Sequence, residues 1–225
     1  SRLYRNLGDG RFASVATSAF LRTTGYGQGC AVGDFDADGF PDLFIATYSA
    51  DLLFRNQGDG TVELVTASAG TSDDLWSSSA AWLDADGDGD LDLYVVNYMD
   101  VTLANKKVCN YDGASGYCGP GEYHGVPDRL WLNQGDGAFR DALEELGLSA
   151  PRGKGLALTI VDFDGDLRPE IYVANDMDSN FLFTRGDSPL ADPARKEAPK
   201  RFAEIGLAAG CAVSGMGLNE ASMGI

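Results

Sequence analysis

Asp34-Phe35-Asp36-Ala37-Asp38-Gly39-Phe40-Pro41-Asp42 is followed at once by the apolar run Leu43-Phe44-Ile45-Ala46. Fifty residues on, Asp84-Ala85-Asp86-Gly87-Asp88-Gly89-Asp90-Leu91-Asp92 leads into Leu93-Tyr94-Val95-Val96. A third copy, Asp162-Phe163-Asp164-Gly165-Asp166-Leu167-Arg168-Pro169-Glu170, leads into Ile171-Tyr172-Val173-Ala174. It stands 78 residues after the second, a period of 50 with a 28-residue excess. Self-similarity at such a period marks a repeat architecture and governs the whole fold reading.

A second marker recurs in the same phase. Leu3-Tyr4-Arg5-Asn6, Leu53-Phe54-Arg55-Asn56 and Leu130-Trp131-Leu132-Asn133 each run into a residue followed by Gly-Asp-Gly. A worn fourth copy is Leu182-Phe183-Thr184-Arg185-Gly186-Asp187. Glycine supplies the positive φ that a tight hairpin needs, so each marker reads as a strand entering a turn. With the strands flanking the Asp loop this gives four short strands per repeat, the pattern of propeller blades. The expected fold is all-β: a β-propeller of four-stranded antiparallel blades, present as a partial ring of about four repeats in one domain spanning 1–225. An open β-solenoid is the lesser alternative. The repeat phase also predicts a further Asp loop about three residues beyond Ile225, which reads as a segment of a longer chain. Residues 141–148 are expected to form one short helix, and 187–200 an exposed loop.

Composition narrows the function. The chain has 225 residues, 44% of them hydrophobic, with 17 Lys+Arg against 34 Asp+Glu and a formal charge of -17. It can bury a core, but it lacks the basic patches that phosphate backbones require, so nucleic acid is excluded as a partner. No apolar run reaches the roughly 18 residues of a membrane helix, so no direct membrane span is expected. One histidine, His124, leaves little for His-based acid–base chemistry, and no nucleophile elbow or phosphate loop appears.

Carboxylates at loop positions one, three, five and nine can converge on one centre when the backbone curls between them. Hard oxygen donors of this kind select Ca²⁺. The candidate ligands are Asp34, Asp36, Asp38 and Asp42; Asp84, Asp86, Asp88 and Asp92; and Asp162, Asp164, Asp166 and Glu170. The seventh residues, Phe40, Asp90 and Arg168, would each offer a backbone carbonyl. An EF-hand needs a bidentate Glu at position twelve, where this chain has Ile45, Val95 and Val173, so that reading fails. Up to three Ca²⁺ are expected, which would bring the charge from -17 to -11. The third loop, with Leu167 for Gly and Glu170 for Asp, should bind most weakly.

These residues resemble the FG-GAP/VCBS repeat, the blade of integrin-α-like propellers that carry Ca²⁺ in a hairpin loop. A narrower resemblance, to the ASPIC/UnbV, cartilage-acidic-protein-like branch, lies in Cys118-Gly119-Pro120, Gly125, Asp128 and Leu130 to Gly137. The resemblance implies a seven-bladed, extracytoplasmic parent and the metal ligands just named, but no single activity.

The 28-residue excess forms an insert at about 100–127. It holds Cys109 and Cys118, whose pairing would close a small loop with little core of its own. Tyr111, Tyr117, Tyr123 and His124 gather there as candidates for partner binding, since long loops on rigid scaffolds often carry function. Cys30, on a strand, is expected as a buried thiol. Arg185-Gly186-Asp187 reads as the worn turn rather than as an adhesive motif. The expected function is a calcium-binding scaffold outside the cytoplasm, periplasmic, cell-surface or secreted. It would engage a protein or glycan, the remaining blades of a longer chain, or a membrane-associated complex. The alternative is a polysaccharide-lyase-like enzyme, for which Lys106, Lys107 and Tyr123 are the only basic and phenolic cluster.

Overall fold

The computed structural model describes residues 2–23, 25–149, 152–188, 190 and 201–222. A hairpin of β1 (Tyr4–Asn6) and β2 (Phe12–Ser14) comes first. The first sheet is a meander of β3 (Gly27–Gly33), β4 (Asp42–Thr47), β5 (Leu52–Asn56) and β6 (Val62–Leu64). After one helical turn, α1 (Thr66–Ala69), the second sheet begins with β7 (Ser77–Leu83) and β8 (Asp92–Asn97). The insert then forms its own hairpin, β9 (Val108–Tyr111) with β10 (Ala114–Tyr117), before β11 (Arg129–Asn133) and β12 (Phe139–Asp141) complete the second sheet. The third sheet is β13 (Gly155–Val161), β14 (Glu170–Asn175), β15 (Phe181–Arg185) and β16 (Phe202–Glu204). Every pairing is antiparallel, and the four-strand blades expected from the repeat are present.

The blades stack through their first strands, with β7 against β3 on one side and β13 on the other. Second strands such as Asp92-Leu-Tyr-Val-Val-Asn97 are buried at all six positions. That explains their unbroken apolar reading, because both faces meet protein. Phe44, Leu53 and Phe35 of the first blade pack on Leu93, Val95, Trp131 and Phe139 of the second. Tyr94, Val96, Leu130 and Leu132 pack in turn on Ile171, Val173, Phe183 and Phe202 of the third. Room for so close a stack comes from small residues on the first strands. A Cβ on Gly29 would lie 2.7 Å from the Ser78 carbonyl, and one on Gly33 2.6 Å from the Trp82 ring.

Two expectations change, and a third falls largely on residues outside those described. Cys30 is exposed, not buried. Leu3 and Ala16 of the N-terminal segment cover Ile45, Leu52 and Phe54 on the two middle strands, and β3 keeps one face bare. Residues 141–148 give only a turn closed by Leu146 N–H to the Ala142 carbonyl. The stretch 187–200 lies mostly outside the described residues.

A second repeated side chain stands where the second strand passes to the third. Asp51 accepts from Thr47 N–H, Asp128 from Asn97 N–H and Asn180 from Asn175 N–H, at 2.8, 2.9 and 2.8 Å. Burial lifts Asp51 from 3.8 to about 7. The Ser77 hydroxyl, 2.7 Å from Asp51 Oδ2 and 2.8 Å from Asn97 Oδ1, has one proton for two acceptors. A protonated Asp51 completes that chain by donating to Ser77. Between pH 4 and 7 the folded state therefore keeps a proton that the unfolded chain has released, and stability falls as pH rises through this window. Asp51→Asn, which copies the chemistry of Asn180, should flatten this dependence and raise the melting temperature above neutrality. The gain is up to about 4 kcal/mol at 1.4 kcal/mol per pKa unit. Melting curves from pH 5 to 8 that ran parallel for the two proteins would refute it.

Candidate metal centre

Each Asp loop joins the first strand of a blade to the second, at the same end as the Gly-Asp turns and opposite the insert. Positions four and six of every loop take left-handed backbone: Ala37 and Gly39, Gly87 and Gly89, Gly165 and Leu167. These two reversals curl the loop around its first residue. Asp34 accepts Asp38 N–H at 3.1 Å and Gly39 N–H at 2.9 Å. Asp84 does the same with Asp88 and Gly89, and Asp162 with Asp166 and Leu167.

The curl brings carboxylates together. Oxygens of Asp34, Asp36 and Asp42 lie within 4.8 Å of one another, as do those of Asp84, Asp86 and Asp92. The third group has a different membership: Asp162, Asp164 and Asp166. Asp38 and Asp88 stand outside the first two trios, with Oδ1 accepting Phe40 N–H and Asp90 N–H. Glu170 stands outside the third, holding Phe163 N–H at 2.8 Å and the Thr184 hydroxyl at 3.1 Å.

Asp42 and Asp92 are buried at the base of their loops. Burial raises both to about 6, against the pull of two backbone N–H groups on each. Among the described residues no salt bridge reaches either. Arg55 and Arg140 act on these groups only through longer-range attraction, so crowding the carboxylates stays costly, and a hard divalent ion at their centre offsets that cost. The first two donor sets fit such an ion.

The third loop supplies its own cation. Arg168 Nη2 lies 2.8 Å from Asp166 Oδ2, and its Nη1 reaches Asp187 at 3.0 Å. Desolvation opposes, but the Arg168 backbone and guanidinium bonds outweigh it and lower the Asp166 carboxyl. Ser188 Oγ donates to Asp164 Oδ2. Leu167 holds φ +69° where its counterparts are glycines, a conformation that strains a branched side chain. The expected order of calcium affinity places this loop last. Calorimetry should show Asp42→Ala and Asp92→Ala abolishing a tight event while Glu170→Ala leaves both tight events in place. A larger loss from Glu170→Ala would reverse the assignment.

At the insert, Cys109 and Cys118 are joined as a disulfide. Tyr111, Tyr117 and His124 are on the surface. Tyr123 is not: it packs with Tyr98 and Met99, and its hydroxyl accepts Lys107 N–H at 2.8 Å. The Lys107 ammonium donates to the Glu122 carbonyl and sits over the Tyr123 ring, so this cluster pins the insert down. Arg185 is buried, stacked on Phe202. Burial first, and then the nearby Arg168 guanidinium, lower its pKa.

Comparison with protein families matches residues 1–45 and 34–95 to the FG-GAP-like repeat. Comparison with curated proteins finds no match.

Proposed function

We propose, from the match of residues 1–95 to the FG-GAP-like repeat, that the chain is a calcium-stabilised propeller scaffold working outside the cytoplasm. The observation that carries the calcium reading is the recurrence of a carboxylate trio at the same end of three successive blades, with the same membership in the first two. The residues that would hold the ion are Asp34, Asp36 and Asp42, Asp84, Asp86 and Asp92, and more weakly Asp162, Asp164 and Asp166. The bound ion would supply charge that lets buried carboxylates stay ionised. The chain itself orients them: backbone N–H groups fix each first and ninth carboxylate, and the left-handed residues set the curl.

The disulfide supports an oxidising compartment, since such bonds do not persist in reducing cytosol. Sites built only of oxygen donors suit a calcium-rich exterior. We assign protein or glycan engagement to the insert, where Tyr111 and Tyr117 of the hairpin and His124 beyond it face solvent. The similarity of Cys118-Gly119-Pro120 and of the run from Leu130 to Gly137 to the ASPIC/UnbV branch favours the same setting.

Calorimetric titration with Ca²⁺ tests the core of this reading. Two tight events and a weaker one are expected, with Mg²⁺ a poor substitute because it demands near-ideal octahedral geometry. No heat at millimolar calcium would end it.

A further inference from the structure

Two ninth-position carboxylates, Asp42 and Asp92, are joined by hydrogen bonds that cross from blade to blade through Phe35 and Asn133, and a bond from Arg185 of the third blade reaches the loop of the second. Asp42 Oδ2 accepts Phe35 N–H at 3.0 Å, and the Phe35 carbonyl accepts from Asn133 Nδ2 at 2.7 Å. The Asn133 N–H in turn donates to Asp92 Oδ1 at 2.8 Å. The other oxygen of Asp92 accepts Ala85 N–H at 2.7 Å. The carbonyl of that same peptide unit, on Asp84, accepts from Arg185 Nη2 at 3.0 Å. Beside Arg185, the Thr184 hydroxyl donates to Glu170.

Asn133 and Arg185 hold one post in successive blades, the last residue of the third strand. Each reaches back across about 100 residues of sequence to the peptides that open the preceding Asp loop. Both are buried, at 3% and 6% exposure, so water does not compete for these bonds. Asn56, the same post in the first blade, binds the Pro41 carbonyl of its own blade at 3.0 Å, and Asn133 makes the matching bond to Leu91 at 3.2 Å beside its reach across blades.

We infer that Asn133 and Arg185 are positioning residues for the metal loop of the preceding blade, and that occupancy of adjacent loops is thereby coupled. The inference rests on the calcium reading above. An ion drawn in by Asp34, Asp36 and Asp42 fixes the backbone at Phe35, and the amide of Asn133 favours that same arrangement. Asn133 also braces Asp92, so filling one loop orders a partner of the other, and the coupling is reciprocal. Hydrogen-bonding partners behind metal ligands typically change affinity 10- to 100-fold.

The test uses the whole chain with the second and third loops silenced by Asp84→Asn, Asp86→Asn, Asp162→Asn and Asp164→Asn, which leaves Asp92 and its bond to Asn133 intact. Calcium titration then reads the first loop alone. Adding Asn133→Asp keeps the Gly135 N–H bond to this side chain but removes its donor. It should weaken first-loop affinity about tenfold, while Gln134→Ala next to it changes nothing. A readout without mutation at 133 comes from nuclear magnetic resonance: filling the first loop should shift the Asn133 side-chain amide signals. Unchanged affinity in Asn133→Asp, or amide signals that stay in place as the loop fills, overturns the coupling while leaving the calcium reading intact. A wild-type chain that binds no calcium overturns both.

Discussion

Calcium at saturating concentration should raise the melting temperature of this protein by 10 °C or more over the same protein in chelator. An ion that binds only the folded state adds about 2.7 kcal/mol when present at a hundred times its dissociation constant. The two trios built on Asp42 and Asp92 would together add about 5 kcal/mol. For a chain of this size each kcal/mol moves the midpoint by roughly 2–4 °C. The effect has an electrostatic origin, because without the ion each trio holds three carboxylates within 4.8 Å. Sodium at equal ionic strength should reproduce little of it, since screening acts weakly on buried groups. Identical melts in calcium and chelator would mean that the loops do not take the ion at all.

The second large effect concerns packing between blades. Gly29→Val should cost about 3 kcal/mol or more and lower the melting temperature by roughly 10 °C. The atoms in the way are the Ser78 carbonyl at 2.7 Å and the Ser79 Cα at 3.2 Å, both backbone of β7. Backbone cannot swing aside as a side-chain tip can, so the blades must part. Gly119→Ala is the matched control: it has open space around it and lies in the insert, so it should be close to neutral. A Gly29→Val protein as stable as wild type would show that the first strands slide apart at little cost.

Much of this was legible in the chain itself. The Asp loops announce themselves because a metal site or a tight turn depends on near neighbours in sequence, and two markers in one register fix the blade. Burial of whole strands was legible for the same reason, in runs such as Leu93-Tyr94-Val95-Val96. Cys30 misled because Cys30-Ala31-Val32 has the composition of a strand buried on both faces. Whether both faces are covered depends on what packs there, which composition does not encode. Asp51, Asp128 and Asn180 left a readable signal, an acid or its amide two residues before each Leu-aromatic pair, that the more conspicuous Asp loops overshadowed. The reach of Asn133 to Phe35 left none, since it arises only when one blade is laid on the next. Membership of the trios was likewise hidden, because all three fifth-position carboxylates accept the N–H two residues on, yet only Asp166 joins its cluster.

The insert leaves the second blade after Asn97 and returns at Asp128, and one residue clasps both points. The Asn97 N–H donates to Asp128, and its side-chain amide donates to the Pro127 carbonyl at 2.9 Å. Departure and arrival are thus set by the blade and not by the disulfide hairpin between them. Such a clasp makes the position a natural grafting port. A different excursion with equally close ends could be spliced in without rebuilding the frame of the blade.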